Sequence, residues 1–237
     1  REHVMLATGT GGSPPAEGMH WIFSTPLTGA ELKAIRPQLE RGLSNPPRLV
    51  YIGRFSPEKG IPNLVRAVAL LKAQGFSPMP QICLVGDGPQ RPEIETLITS
   101  LGVEAHFGFT GMLDRPGVHA ELAQADLCVQ PSLTEGFSKA WLDAMAHGLP
   151  VIASDVGAAA GVIGSPGERG WLVPPGDPAA LADQIAAVVA SPIDWTALRR
   201  RCRAFAEGYT LESWAEAIGR ICADQWNVQM VGGKLIP

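Results

Sequence analysis

Between residues 48 and 190 the chain alternates short apolar runs with segments whose apolar residues recur at helical spacing, and few folds accommodate that rhythm. Leu49-Val50-Tyr51-Ile52 stops at Gly53, and Ile82-Cys83-Leu84-Val85 stops at Gly86. A short strand is expected near 104–108, followed by Leu127-Cys128-Val129, Val151-Ile152-Ala153 and Trp171-Leu172-Val173. Uninterrupted apolar runs of this kind suit strands buried on both faces. Between the first two, Ile61, Leu64, Val65, Val68 and Leu71 mark a helix over 60–73. Further helices are expected at about 91–101, up to Ala125, and at 137–147, 178–190, 195–207 and 211–225. The pattern reads as α/β: a doubly wound, Rossmann-like parallel sheet of about six strands. Ligands of such sheets bind outside the carboxyl ends of the strands. The informative loops therefore follow Ile52, Val85, Phe107, Val129 and Ala153.

Composition narrows the function classes. At 46% hydrophobic and 18% charged over 237 residues, the chain folds around a core. Its 27 glycines and 21 prolines follow no Gly-X-Y period, which excludes collagen. A net charge of −4 provides no basic field for nucleic acid. No run approaches the length of a membrane-spanning helix, and no secretory leader is recognised. The four cysteines form no Cys-x-x-Cys pair and have no histidine at zinc spacing, so no metal site is expected. Cys83 and Cys128 sit in apolar runs and are expected as buried free thiols, which suits a reducing cytoplasm. Residues 1–47 are poorly patterned: a loop at Gly9–Pro15, a short helix from Ala30 to Leu39 interrupted at Pro37, and a break at Asn45-Pro46-Pro47.

Three loops carry candidate chemistry. Gly53-Arg54-Phe55-Ser56-Pro57-Glu58-Lys59-Gly60 closes the first strand. Gly53 permits close backbone approach, Arg54 offers a planar fork to phosphate oxygens and Lys59 a point charge. The alternative is an ordinary loop in which Glu58 neutralises Lys59. Val85-Gly86-Asp87-Gly88-Pro89 reads either as a nucleotide-binding turn or as a tight turn needing positive φ. Pro131-Ser132-Leu133-Thr134-Glu135-Gly136-Phe137-Ser138 precedes a helix whose free N–H groups favour anions. Glu135 would face the same crevice, with Asp143 two helical turns on. The alternative is a plain helix start with a Lys139/Asp143 surface pair. Arg199-Arg200-Arg201-Cys202-Arg203 reads as a solvated helix face, or as a contact for anionic membrane. The five histidines show no nucleophile partner at motif spacing, and His147 is expected to cap a helix.

In this order and spacing the pieces resemble the C-terminal half of a GT-B-fold glycosyltransferase of family 4 (group 1). They are Val50-Tyr51-Ile52-Gly53-Arg54, Glu58-Lys59-Gly60, Val85-Gly86-Asp87-Gly88-Pro89 and Phe109-Thr110-Gly111, then Ser132-Leu133-Thr134-Glu135-Gly136-Phe137, Ala144-Met145-Ala146-His147-Gly148-Leu149-Pro150-Val151-Ile152-Ala153 and Gly170-Trp171-Leu172-Val173. The similarity runs from about Arg48 to about Trp214. It implies a nucleotide-sugar donor domain at 48–210, a C-terminal helix and tail at 211–237, and in 1–47 a linker or remnant of an absent N-terminal half.

The resemblance also implies roles. Arg54 and Lys59 would bind the donor diphosphate, and Glu135 would contact the donor sugar as the first acid of the family's E-x7-E motif. The backbone of Gly136, Phe137 and Ser138 would touch sugar or phosphate. Asp143, in the second acidic position, would hold the ribose. The loops bearing Gly86, Gly88, Thr110, Gly111 and Leu113 would cradle the base. Family members retain anomeric configuration and use no metal. Two departures stand out: Asp143 is one methylene shorter than the usual Glu, and Gly157-Ala158-Ala159-Ala160-Gly161 lacks the expected small polar or acidic group. The donor base stays open among uracil, guanine and adenine, and the acceptor belongs to the absent half. The competing expectation is a non-catalytic nucleotide-sugar binding or regulatory module. Placement in the cytoplasm is expected, with any membrane association left to the absent half.

Overall fold

The computed structural model of the chain describes residues 3–9, 16–231 and 234–236. First come β1 (Met5–Thr8) and β2 (Met19–Ile22), a parallel pair outside the main sheet, then α1 (Gly29–Ala34). The alternation follows: β3 (Arg48–Ile52), α2 (Ile61–Ala73), β4 (Gln81–Val85), α3 (Arg91–Ser100), β5 (Phe107–Gly111), α4 (Arg115–Gln124), β6 (Leu127–Gln130), α5 (Lys139–Ala146), β7 (Val151–Ser154), α6 (Ala159–Ile163) and β8 (Gly170–Val173). The chain continues through α7 (Pro178–Ala190), α8 (Trp195–Glu207), α9 (Leu211–Trp226) and an antiparallel hairpin of β9 (Gln229–Val231) and β10 (Lys234–Ile236).

The main sheet has six parallel strands in the order β5-β4-β3-β6-β7-β8. The chain runs outward from β3 to β5, returns to lay β6 beside β3, and then runs outward the other way. That is the doubly wound arrangement, and its switch point lies between β3 and β6. Alternate residues of each strand face opposite layers. Leu49, Tyr51, Leu127, Val129 and Ile152 pack on one face against Leu64, Val68, Ile94, Leu181 and Ile185 of α2, α3 and α7. Val50, Cys128, Val151 and Ala153 pack on the other against Leu122, Trp141, Met145, Val162, Leu198 and Cys202 of α4, α5, α6 and α8. Both faces are covered, which is why these strands read as unbroken apolar runs.

Several expectations shift. The strand expected near 104–108 is Phe107–Gly111, preceded by a 3-10 turn over Glu104–His106, with Val103 fully buried beneath it. The helix expected over Ala30–Leu39 is Gly29–Ala34. It starts on a Thr28/Glu31 capping box and ends at Ile35, which is extended (ψ 130). Pro37 biases Arg36 against the helical region, so the helix has no room to continue. Leu27, Leu32 and Ile35 join the core, so this early segment is docked on the sheet domain. The β1/β2 and β9/β10 pairs and the five-residue α6 are too short to leave a periodic signal. Of the loop expected at Gly9–Pro15, residues 10–15 lie outside the described residues. Cys128 is buried, whereas Cys83 is only half-buried, because its side chain reaches a cleft beside Glu121.

The basic run in α8 is a solvated face only in part: Arg200 and Arg201 are exposed, whereas Arg199 and Arg203 turn inward. Arg199 is 1% exposed, and its Nε donates to the Arg41 carbonyl at 2.9 Å. Arg201 donates to the carbonyls of Gly167 and Glu168, and Arg203 to those of Ala146 and Leu32. Arg200 pairs with Glu40 at the surface. The accepting carbonyls are those that secondary structure leaves open: Leu32 and Ala146 lie in the last turns of α1 and α5, and Arg41, Gly167 and Glu168 lie in loops.

Candidate functional site

The loops after β3 and β6 meet at the switch point and are laced together. Gln130 Nε2 donates to the Ile52 carbonyl at 3.0 Å, and Leu133 N–H donates to the Glu58 carbonyl at 2.7 Å. The β4 loop joins them: Gly53 N–H donates to Val85 O (3.0 Å), and Phe55 N–H to Asp87 O (2.9 Å). Beneath, the fully buried Tyr51 donates its hydroxyl to the Arg54 carbonyl at 3.0 Å. Burial pushes the Tyr51 hydroxyl well above the ordinary tyrosine range, so it remains a donor.

The glycines here are steric requirements. Gly86 has φ 132°, and a Cβ on it would sit 2.0 Å from the Gly53 carbonyl oxygen. A Cβ on Gly88 would meet the Phe55 backbone at 2.4 Å. The tight-turn reading is therefore right for Gly86, while Gly88 is needed for close approach at ordinary φ.

Two adjoining clefts open at this pole of the sheet, sharing Ile52, Gly53 and Arg54 as a common wall. One, of about 360 Å³, gathers Arg54, Lys59, Glu135, Phe137, Ser138 and Asp143. The other, of about 630 Å³, is lined by Gly86, Gly88, Pro89, Met112, Leu113 and Val118. Most of the sequence-derived candidates thus converge on one continuous surface. Thr110, Gly111 and Gly136 do not line it. Thr110 Oγ donates to Gly111 O (2.8 Å), which also accepts Gly86 N–H (2.9 Å). Gly136 O accepts Ala158 N–H at 2.9 Å. A smaller cavity of about 230 Å³, beside Arg48, Gln81 and Cys83, lies away from this cluster near the amino-terminal ends of β3 and β4.

The charges are arranged differently from both local alternatives. Lys59 Nζ reaches across to Glu135 Oε2 at 2.6 Å, and Glu58 is held by the Ser56 hydroxyl instead. That bond, with backbone and cationic neighbours, keeps the Glu58 carboxyl below the usual carboxylate range. Asp143 does not pair with Lys139. It is 6% exposed, and both its oxygens lie within 3.1 Å of Arg115 Nη1. Burial raises the Asp143 carboxyl, and Arg115 opposes that rise. Arg54 is exposed, and its guanidinium makes no hydrogen bond or ion pair among the described residues. Phe137 turns its ring inward against Trp141 and Tyr209, so it meets the cleft mainly along its backbone. Ser138 is the N-cap of α5 without a side-chain cap bond. The first N–H groups of α5 therefore face the same cleft, a place suited to an anion.

Sequence reading missed Arg115 and Gln130. Their partners and neighbours come from distant segments: Gln130 answers Ile52, 78 residues away, and Arg115 answers Asp143, 28 away. His147 does cap α5, with its N–H bonded to Ala144 O, but it also meets His119 at 2.9 Å. Among the described residues no group of three or more His, Cys, Asp or Glu could hold a metal ion. No helix among them is long and apolar enough to cross a membrane.

Known proteins are similar to this chain in sequence and fold. The alpha-D-kanosaminyltransferase of Streptomyces kanamyceticus is 30% identical over 183 residues, covering 75% of this chain and 47% of that protein. The solved sucrose-phosphate synthase from Thermosynechococcus elongatus superposes with TM-score 0.69 at 31% identity, covering 88% of this chain and 53% of that one. HepE of Anabaena, solved in complex with UDP, superposes with TM-score 0.71 at 25% identity over 88% of this chain and 58% of that one. The chain thus spans about half the length of such relatives. Residues 46–191 match the family described as glycosyl transferases group 1. With that match over more than half of its length and a shared fold, this chain belongs to the group 1 glycosyltransferases.

Proposed function

We propose that this chain is the donor-binding half of a retaining glycosyltransferase that moves a glycosyl group from a nucleoside-diphosphate sugar to an acceptor hydroxyl. The observation that carries the reading is the convergence of Arg54, Lys59, Glu135 and the N-terminus of α5 on one cleft at the switch point. A diphosphate fits there because two cations and the helix N–H groups face it, and the Arg54 guanidinium is engaged in no ion pair among the described residues. Departure of the nucleoside diphosphate places negative charge on the β-phosphate oxygens. Preorganised donors aimed at that charge lower the barrier without a metal. Glu135, held by Lys59, is placed to accept hydrogen bonds from sugar hydroxyls. Asp143 would face the ribose, and the adjoining apolar cleft beside Leu113 and Gly88 would take the base. UDP is the first candidate nucleotide, since HepE has been solved with UDP and with UDP-glucose. Retention of anomeric configuration rests on the resemblance to the family. The acceptor site would belong to a second half, so this chain alone should transfer little sugar.

A second reading, a binding module without catalysis, draws on one observation: both candidate acids are already paired, Glu135 with Lys59 and Asp143 with Arg115. Calorimetric titration with UDP, GDP and ADP tests the shared core of both readings. Binding of one nucleotide, lost on combining Arg54→Ala with Lys59→Ala, supports a donor site. Absence of binding at millimolar ligand rejects it. Transfer by a longer form of the protein, with product configuration read by NMR, separates enzyme from binding module.

A further inference from the structure

Asp143 faces the cleft on one side and a chain of polar contacts on the other. Arg115, the first residue of α4, places Nη1 2.9 Å from Oδ1 and 3.1 Å from Oδ2 of Asp143. Its Nε lies 3.3 Å from Oε1 of Glu31. Glu31 is itself fixed, because its other oxygen accepts the Thr28 N–H (2.9 Å) and the Thr28 hydroxyl (3.0 Å). Thr28, Glu31, Arg115 and Asp143 thus link α1, α4 and α5 in one line that ends at the cleft. A carboxylate as buried as Asp143 is unfavourable unless it is paired and hydrogen-bonded.

The other titratable groups nearby cannot replace Arg115. His119 on α4 and His147 at the end of α5 are bonded to each other at 2.9 Å, and burial holds both below the ordinary imidazole range. Glu31 adds negative charge and works against ionisation of Asp143. Lys139, on the same helix, is exposed and makes no ion pair among the described residues. Arg115 is the cation in hydrogen-bond contact with Asp143, and it touches both oxygens. An aspartate has one methylene less than a glutamate with which to search for a partner. Its orientation in the cleft is therefore set by what grips it from behind.

We propose that Arg115, steadied by Glu31, is the positioning residue of the nucleotide cleft: it orients the Asp143 carboxylate so that the cleft-facing side accepts hydrogen bonds from the ribose hydroxyls of a nucleoside diphosphate. The inference rests on the reading of the cleft as a donor site. Arg115 does not line that cleft, and its effect passes through Asp143. Without the guanidinium, Asp143 keeps its burial and loses its counter-charge, so it takes up a proton at higher pH and turns from acceptor to donor. The phosphate contacts at Arg54 and Lys59 stay as they were.

The test is a titration of this chain with UDP and with inorganic pyrophosphate from pH 5 to 8, in wild type, Arg115→Met, Arg115→Lys and Glu31→Gln. Pyrophosphate presents the two phosphates without a ribose. Arg115→Met should weaken UDP about tenfold at pH 7, with affinity recovering as pH rises, and leave pyrophosphate within about twofold. Arg115→Lys should restore most of the UDP affinity, and Glu31→Gln should cost about threefold. A folded Arg115→Met that binds UDP with the wild-type affinity and pH profile overturns the inference. So does an equal loss of UDP and pyrophosphate, which would mark Arg115 as a structural tie only. Should Arg115→Met not fold, the UDP-to-pyrophosphate ratio of Glu31→Gln decides, and an unchanged ratio overturns the inference. Wild-type chain that binds none of UDP, GDP and ADP rejects the donor-site reading and this inference with it; where GDP or ADP is the nucleotide bound, the same series is run with that nucleotide in place of UDP. Normal wild-type binding with a silent Arg115 rejects this inference alone.

Discussion

Two groups of basic residues in this molecule look alike on paper and do opposite things. Arg199, Arg200, Arg201 and Arg203 crowd one helix, yet each is tied to another group of this chain, including Arg200 and Arg201, which stay exposed. Their guanidinium groups donate to the carbonyls of Arg41, Gly167, Glu168, Ala146 and Leu32, or pair with Glu40. Arg54 and Lys59 are sparse by comparison and sit at the mouth of a cleft. Lys59 has one carboxylate partner, and Arg54 has none among the described residues. Density of charge along a sequence thus says little about availability. A cation whose hydrogen-bonding capacity is consumed by backbone carbonyls holds a fold together, and one left open at a strand's carboxyl end is free for a ligand.

The sharpest way to break the comparison is to attack the internal group. Asp126 is fully buried and accepts from Arg41 Nη2 (3.0 Å), Ser44 N–H (3.1 Å) and Arg48 N–H (2.8 Å), with Arg199 beside it. Asp126→Ala should cost about 3–5 kcal/mol of stability in a urea melt, because it strands buried donors and a buried cation. Nucleotide affinity of the folded fraction should not change. A smaller stability loss accompanied by lost binding would erase the division between the two groups.

Acid should report on the same internal region. Burial, with His119 and Arg203 next, pushes the His147 imidazole down to about 4. The folded state therefore resists protonation more than the unfolded chain does. The corresponding stability is fully present above the unfolded value near 6.5 and is lost as pH falls toward 4, by about 2–3 kcal/mol. Melting temperature should drop over that window, and His147→Asn should flatten the drop. An unaltered acid profile in that variant would remove His147 from the account.

The open group should behave in the opposite sense. Arg54→Ala combined with Lys59→Ala should leave stability within about 1 kcal/mol, since both side chains are partly solvated. The same change should weaken nucleoside diphosphate binding by about thirtyfold or more, roughly 2 kcal/mol. Calorimetry beside a thermal melt reads both quantities. The smallest effect belongs to Arg200→Ala. Its pair with Glu40 is exposed on both sides, and its loss should stay within about 0.5 kcal/mol with binding untouched. A large effect there would show that the α8 run acts as a unit rather than residue by residue.

Much of the fold was legible beforehand, and the particulars show why. Leu49–Ile52, Ile82–Val85, Leu127–Val129 and Val151–Ala153 are strands as expected, since burial on both faces leaves an uninterrupted apolar run. The helices 178–190 and 195–207 match to the residue, because Asp177 and Asp194 cap them and mark their starts. Arg54, Lys59, Glu135, Phe137, Ser138 and Asp143 were singled out from their loops, and the structure gathers them at one cleft. Thr110, Gly111 and Gly136, expected in the same loops, do not line either cleft. The bonds from Gly86 N–H to Gly111 O and from Ala158 N–H to Gly136 O are tertiary and leave no local trace.

What the amino-acid sequence determined by itself is local: which runs form strands, where helices start, and which loops end at carboxyl edges. Those follow from periodicity, capping and glycine, which act over a few residues. What only the tertiary structure decided is which charge answers which. Lys59 meets Glu135 across 76 residues, Arg115 meets Asp143 across 28, and Arg41 meets Asp126 across 85. The strand order β5-β4-β3-β6-β7-β8 brings those partners together by laying β6 beside β3. An ion pair needs contact within a few ångströms, and the lateral order of strands that creates such contact is written in no short stretch of the chain.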